Sequence, residues 1–285
     1  MAIKLTTGNR IAETSSKGNQ EKWREDGRWY KLDLFGYEGL AETVTSALLA
    51  QTNTDALGFH SALLHKTNVE ALGYRYVSYR MERMEVHHRA RNGCSSANFL
   101  QSGEAILTLS ELFRKGVGPN WQRETASLPN LPSRVRWMAE RTARLTGLGH
   151  FGAYLTLLFE VDMLFGNEDR HLNNIAVLRR GETFDYCPIF DFGAGLLSNV
   201  RDYPMDIAPK ALVRQLRAQP LNTTFTRQVH AAQAVYGPQL QWEFIAEDVA
   251  AALAEPLGFY AQRDAPYIRD RVEACIRMQE KKLRG

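Results

Sequence analysis

Two stretches carry the residue types and spacings that can do chemistry: Gly166-Asn167-Glu168-Asp169-Arg170-His171-Leu172-Asn173-Asn174 and Asp191-Phe192-Gly193. Between them, Ile175 to Leu178 reads as a short buried strand, Arg179-Arg180-Gly181-Glu182 as a turn, and Thr183 to Phe190 as the returning strand. The midpoint between Asn174 and Asp191 falls at Glu182–Thr183, so antiparallel pairing is expected to set those two residues opposite each other at the open end. Asp169, five residues before Asn174, is close enough in the chain to fold over the same spot. An amide and two carboxylates there make a hard, oxygen-rich site suited to Mg²⁺, with a proton acceptor alongside. The plain structural alternative is a polar loop capped by asparagine beside a satisfied hairpin, and Asp-Phe-Gly alone would not decide against it.

The combination resembles the catalytic and metal-binding loops of the protein-kinase-like superfamily. Ordinary kinases read His-Arg-Asp, an Asn five residues after the Asp, and then Asp-Phe-Gly. The chain keeps the five-residue interval from Asp169 to Asn174 and keeps Asp191-Phe192-Gly193, but places Arg170-His171 after the aspartate. That Asp-x-His-x-x-Asn order is similar to the HipA-like and CtkA-like bacterial serine/threonine kinases, and lipid kinases of the phosphoinositide type share it in part. The resemblance implies an α+β, two-lobe fold: an N-terminal antiparallel β-sheet lobe with one helix, and a mainly helical C-terminal lobe. It also implies ATP and Mg²⁺ as ligands. Asp191 and Asn174 would hold the metal, and Asp169 would orient a hydroxyl and accept its proton. His171 would contact phosphate or pack within the loop, and Arg170 would pin a backbone carbonyl or a carboxylate.

The elements that position these groups are legible upstream. Glu25-Asp26-Gly27 signals a tight hairpin turn between Lys22-Trp23-Arg24 and a strand from Arg28 to Phe35. Just before it, Ser15, Ser16, Lys17, Gly18, Asn19, Gln20, Glu21 and Lys22 are small and polar, able to turn backbone N–H groups toward an anion. A surface turn fits that run equally well from its residues alone. The resemblance favours the nucleotide loop, because Gly-x-Gln-x-Lys after a serine is the HipA-type pattern. Ser15 then stands where HipA carries a serine that can be autophosphorylated. The resemblance also assigns Lys31, on the strand, to the nucleotide phosphates, paired to a helix glutamate. Gly39 to Leu49 reads as that helix, with Leu40, Val44, Ala47 and Leu48 as its apolar stripe. Glu42 is the chosen partner and Glu38 the alternative; both also suit a helix N-terminus simply by charge.

Tyr74 to Tyr79 alternates like a strand, the polar run Arg80 to Asn92 shows no period, and His87-His88 reads as a solvated loop or edge strand. Gly93-Cys94-Ser95-Ser96-Ala97-Asn98-Phe99 is similar to an element of CtkA-like chains and suggests no chemistry of its own. From residue 103 helical patterns dominate. Ser133 to Thr146 carries one apolar stripe ended by Gly147, and Ala153 to Phe165 is apolar nearly all round, so it should be a buried helix running into the catalytic loop. The lobes are placed at 1–100 and 101–285.

Composition sets the outer limits. With 285 residues, 44% hydrophobic and 24% charged, the chain is globular rather than disordered. A net charge of +3 makes no demand for a nucleic-acid partner. Three widely spaced cysteines, Cys94, Cys187 and Cys275, fit neither a disulfide framework nor a zinc site. Phe151 to Phe165 is too short and too charged to span a bilayer. With no signal-peptide pattern at the start, a cytoplasmic protein is expected. The function expected is ATP- and Mg²⁺-dependent phosphoryl transfer to a protein serine or threonine, with self-phosphorylation. A lipid or small-molecule kinase, or a nucleotide-binding pseudokinase, are the alternatives.

Overall fold

The computed structural model describes residues 4–5, 20–56 and 74–285. The N-terminal strands are β1 (Lys4–Leu5), β2 (Lys22–Glu25), β3 (Arg28–Leu32), β4 (Asp55–Ala56), β5 (Arg75–Tyr76), β6 (Tyr79–Val86) and β7 (Arg89–Ala97), with α1 (Glu38–Leu49) between β3 and β4. Five of them form one sheet in the order β1-β6-β7-β3-β2. Four are antiparallel neighbours, and the short β1 joins parallel to β6. Strand β3 stops at Leu32, short of the expected Phe35, because Glu38 then captures the amides of Leu34, Phe35 and Gly36 to start the helix.

Two hairpins build this sheet. Asp26 (φ 47°) and Gly27 (φ 72°) turn the first, as their sequence suggests. The second was not legible: Tyr79–Val86 and Arg89–Ala97 pair through a two-residue turn made of His87 (φ 51°) and His88 (φ 60°). Thus the polar run from Arg80 is strand, and the histidines sit at its tip. The stretch from Tyr74 is likewise split, with β5 pairing to β4 and β6 entering the main sheet.

Helix α1 lies against β6, β7 and a C-terminal helix, so it is buried on most sides. Leu40, Val44 and Leu48 are buried as expected, whereas Ala47 is exposed and Glu42, Thr45 and Ser46 are buried instead. Two glycines permit the close approach. A Cβ on Gly93 would lie 2.0 Å from the Lys31 carbonyl oxygen, and one on Gly39 would lie 2.7 Å from Gly93 backbone. The start of α1 therefore rests directly on β7, one strand away from Lys31.

Residues 98–103 lead to a second sheet, with β8 (Glu104–Thr108), β9 (Ala176–Arg180) and β10 (Thr183–Tyr186) in the order β10-β9-β8. Strand β8 was expected to be helical. The helices are α2 (Leu109–Gly116), α3 (Trp121–Ala126), α4 (Leu131–Thr146), α5 (Phe151–Phe165), α6 (Pro209–Val213), α7 (Phe225–Tyr236), α8 (Ala246–Leu257) and α9 (Ala265–Arg284). Every residue of α5 except Ala153 is buried, and it packs against α4, α7 and α9. Gly147 (φ 77°) and Gly166 (φ 65°) end α4 and α5 in the left-handed conformation that glycine adopts without penalty. The architecture is α+β, an N-terminal sheet carrying one helix followed by a mainly helical C-terminal part.

The β9–β10 hairpin departs from the expected register. Arg180 pairs with Thr183 and Val177 with Tyr186, and the turn is Gly181-Glu182 alone. Extending that register sets Ile189, not Asp191, opposite Asn174. The ladder itself ends at Tyr186, since Ile189 leaves to bridge Tyr76. Asp191 reaches the site by another route, a left-handed backbone turn at φ 65°.

Candidate active site

Lys31, Lys22 and Cys94 share one face of the N-terminal sheet, because Lys31 is directly opposite Lys22 on β2 and Cys94 on β7. Tyr30 and Leu32 alternate to the other face, where they pack with Trp23, Met84 and Val86. Lys31 Nζ lies 2.5 Å from Glu42 Oε1 and 2.8 Å from Asp191 Oδ1. Of the two candidate glutamates, then, Glu42 meets the lysine. Glu38 is spent on the backbone before α1.

The electrostatics follow from this bridge. Burial disfavours a charge on Lys31, but Asp191 and Glu42 outweigh it and hold the ammonium well above the ordinary lysine range. Burial likewise opposes ionisation of Asp191, yet Lys31, assisted by Lys22 and Arg170, leaves its pKa at about 2. Lys22 is shifted down by burial and by its neighbour Lys31. Glu42 is raised by burial against the pull of Lys31. Its second oxygen accepts the Phe192 amide at 2.8 Å, so one glutamate holds both the lysine and the Asp-Phe-Gly backbone.

Asn174 Nδ2 donates to the Asp169 carbonyl at 2.8 Å and to its carboxylate at 3.3 Å. Asp169 Oδ1 lies 3.6 Å from His171 Nε2. Burial, with Asp191 adding repulsion, pushes the Asp169 carboxyl above its ordinary range while His171 pulls it back. A carboxylate shifted in that direction is a stronger proton acceptor than a free one.

Arg170 does both things expected of it. It is buried and forks onto Asp162, with Nε 2.9 Å from Oδ2 and Nη2 2.9 Å from Oδ1. Its Nη1 donates to the carbonyls of Asn174 (3.0 Å) and Phe190 (2.7 Å). One guanidinium thereby ties the Asp169–Asn174 loop to the approach to Asp191. Asn167 adds bonds to Asp162 (2.8 Å) and to the Asp191 carbonyl (3.2 Å). Asp162 and Asn167 were not among the expected site residues. The available signal was a pair of acidic residues, Glu160 and Asp162, inside a helix that is otherwise largely apolar.

A cavity of ≈ 340 Å³ brings together Gln20, Lys22, Lys31, Asp169, His171, Asn174 and Asp191. Glu168 and Tyr203, not anticipated, also line it and hydrogen-bond to each other. Glu42 sits behind Lys31 rather than on the cavity wall. Ser15, Ser16, Gly18 and Asn19 lie outside the described residues. No cluster of three or more His, Cys, Asp or Glu able to hold a metal occurs among the described residues. The donor set suits Mg²⁺ nonetheless, because that ion is commonly held by one or two protein oxygens together with substrate phosphates and water. Asp191 and Asn174 carry oxygens of that kind and line one cavity with Lys22 and Lys31, whose charge could balance a polyphosphate.

No protein-family model and no curated protein sequence matches the chain. Solved structures do. The Helicobacter pylori proinflammatory kinase CtkA superposes with a TM-score of 0.59 at 12% identity, over 95% of this chain and 90% of CtkA. The fold is that of a CtkA-like kinase. HipA of Shewanella oneidensis MR-1, solved with HipB and operator DNA, matches at 14% identity and a TM-score of 0.47, over 98% of this chain and 66% of HipA. Among the described residues no helix is long and apolar enough to cross a membrane.

Proposed function

We propose that the chain is an ATP- and Mg²⁺-dependent phosphotransferase acting on serine or threonine hydroxyls of protein, itself included, in the cytoplasm. The observation that carries this reading is the bridging of Lys31 between Glu42 and Asp191 in the same cavity as Asp169 and Asn174. The CtkA-like fold supports phosphoryl transfer, and the resemblance to HipA-like and CtkA-like kinases favours serine or threonine on protein, although lipid kinases share the Asp-x-His-x-x-Asn order in part. Residues 1–100 and 101–285 would be the two lobes that close on the nucleotide.

In this reading Lys31, with Lys22 beside it, neutralises the nucleotide's phosphates, while Glu42 keeps Lys31 from folding away. Gln20 and Lys22, which line the same cavity, extend the phosphate site, and Ser15, Ser16, Gly18 and Asn19 are assigned to the nucleotide with them. Mg²⁺ held by Asp191 and Asn174 would neutralise charge developing on the phosphate oxygens. Asp169 orients the acceptor hydroxyl and takes its proton as the hydroxyl oxygen bonds to the γ-phosphorus. The bond to the leaving ADP oxygen breaks in the same step. His171, 3.6 Å from Asp169, holds that carboxylate beside the phosphate site. Little covalent work falls to the protein, so positioning and electrostatics dominate.

Incubating the purified protein with γ-labelled ATP and Mg²⁺ and locating the label by mass spectrometry tests this. Label on serine or threonine is expected. Nucleotide binding without transfer would point to a pseudokinase, and label confined to added lipids or metabolites to another acceptor class; either would overturn the reading.

A further inference from the structure

A second cavity, of ≈ 420 Å³, adjoins the first and shares His171 with it. The wall between them is the catalytic loop itself. Asp169 and Asn174 face the nucleotide cavity, whereas Leu172 and Asn173 line the second one. That wall is braced from both sides: the Asn174 amide donates to the His171 carbonyl at 2.7 Å, and the Ser110 amide donates to the Leu172 carbonyl at 3.1 Å. A molecule seated in the second cavity therefore lies one side chain away from Asp169.

The two cavities differ in charge. The first is lined by several carboxylates, among them Asp169, Asp191 and Glu168. Among the described residues, the second has no carboxylate in its lining; its ionisable groups there are Arg134 and His171. Amides and hydroxyls of Gln122, Thr125 and Asn173 supply uncharged polar contacts, and Trp121 and Leu221 an apolar floor. Arg134 spends one Nη2 bond on the Ala126 carbonyl at 3.0 Å, and no carboxylate stands beside it in that lining. A hollow lined by a guanidinium, with the nearest carboxylate, Asp169, on the far side of His171, is complementary to an anion at Arg134.

We propose that this second cavity is the acceptor site, and that it selects serine or threonine in a protein segment with an acidic side chain beside the hydroxyl. Arg134 engages that acidic group, so it is a specificity-determining residue, and the hydroxyl passes His171 to reach Asp169. This rests on the phosphotransferase reading for the chemistry but makes its own claim about binding.

The test is fluorescence anisotropy with labelled serine peptides of equal length whose flanking residues are acidic, neutral or basic, titrated with the intact protein. The acidic peptide is expected to bind about tenfold more tightly than the neutral one, the size of a single charge-assisted contact of about 1.4 kcal/mol. Arg134→Gln should remove that preference while leaving ATP affinity unchanged, which also reports that the variant is folded. Gln122→Glu, a change at an exposed rim position, should weaken the acidic peptide selectively. Equal affinity for all three peptides, a preference for the basic one, or a preference that survives both substitutions would overturn the proposal. Because binding is read without turnover, loss of phosphoryl transfer with an intact acidic preference would strike the phosphotransferase reading alone.

Discussion

Lys31 meets two carboxylates at once, and each of those carboxylates does something else as well. Glu42 also holds the Phe192 amide, while Asp191 faces the cavity where a metal would sit. Replacing Asp191 leaves a buried lysine with one partner fewer; in the proposed mechanism it would also remove a metal donor, and replacing Asp169 would remove the proton acceptor. A general base is worth roughly 10²–10⁴-fold, and the loss of a charge-stabilising group in a dry site costs at least as much. Asp191→Ala and Asp169→Ala should both bring phosphoryl transfer below detection, with ATP binding preserved better in Asp169→Ala. Radiolabel transfer and nucleotide titration read the two effects separately. Near-normal turnover in Asp169→Ala would show that the proton goes elsewhere.

At the scale of elements, the site depends on how the stretch after Asp-Phe-Gly is held. Leu196 (φ 56°) and Leu197 (φ 59°) both occupy the left-handed region, which costs a branched side chain about 1–3 kcal/mol. Two groups hold them there. Tyr37, at the start of α1, donates to the Leu196 carbonyl at 2.9 Å. Arg271 on α9 donates to the carbonyls of Leu197 (2.9 Å), Tyr203 (2.8 Å) and Pro204 (3.0 Å), and to the Tyr37 hydroxyl at 3.1 Å. The guanidinium is fully buried, so its loss strands those acceptors. Arg271→Met should lower the unfolding free energy by about 3 kcal/mol, and amide exchange over residues 196–204 should accelerate. Unchanged protection there would mean that the packing of Leu196 and Leu197 suffices without the arginine.

Across the whole molecule, the N-terminal sheet is tied to the C-terminal helices at the loop after α8. Asn92 donates to the Phe259 carbonyl at 2.9 Å, and the Tyr260 hydroxyl donates to Asp33 Oδ2 at 2.7 Å. The other oxygen of Asp33 accepts the Gly39 amide at 2.6 Å, at the start of α1. Burial raises the Asp33 carboxyl to about 7 from an ordinary 3.8. Because the folded value is the higher one, the fold favours the protonated acid. The stability it contributes is complete below the unfolded value and is lost as pH rises toward 7. Denaturant titrations of wild type and Asp33→Asn should therefore give a stability difference that declines between about pH 4 and pH 7 and is level above. A difference that does not change over that window would sink the claim.

Much of the loop from Asp169 to Asn174 could be read directly, because Asp169, Arg170, His171 and Asn174 lie within one short segment whose spacing is its geometry. The hairpin that follows could not. Its strands were recognisable, but Ile189 bonds to Tyr76, a partner far away in the chain, and so leaves the ladder before Asp191. The His87-His88 hairpin was hidden for a local reason, since its turn lacks the glycine or asparagine that usually signals positive φ.

By itself the sequence determined which donors exist and the order in which they follow one another, since covalent spacing dictates both. Only tertiary structure decided that Glu42 and not Glu38 meets Lys31, and that Lys31 reaches Asp191 160 positions away. That choice depends on how closely α1 can press against β7, which Gly39 and Gly93 permit. Contact between backbones distant in the chain leaves no periodicity in the sequence to read.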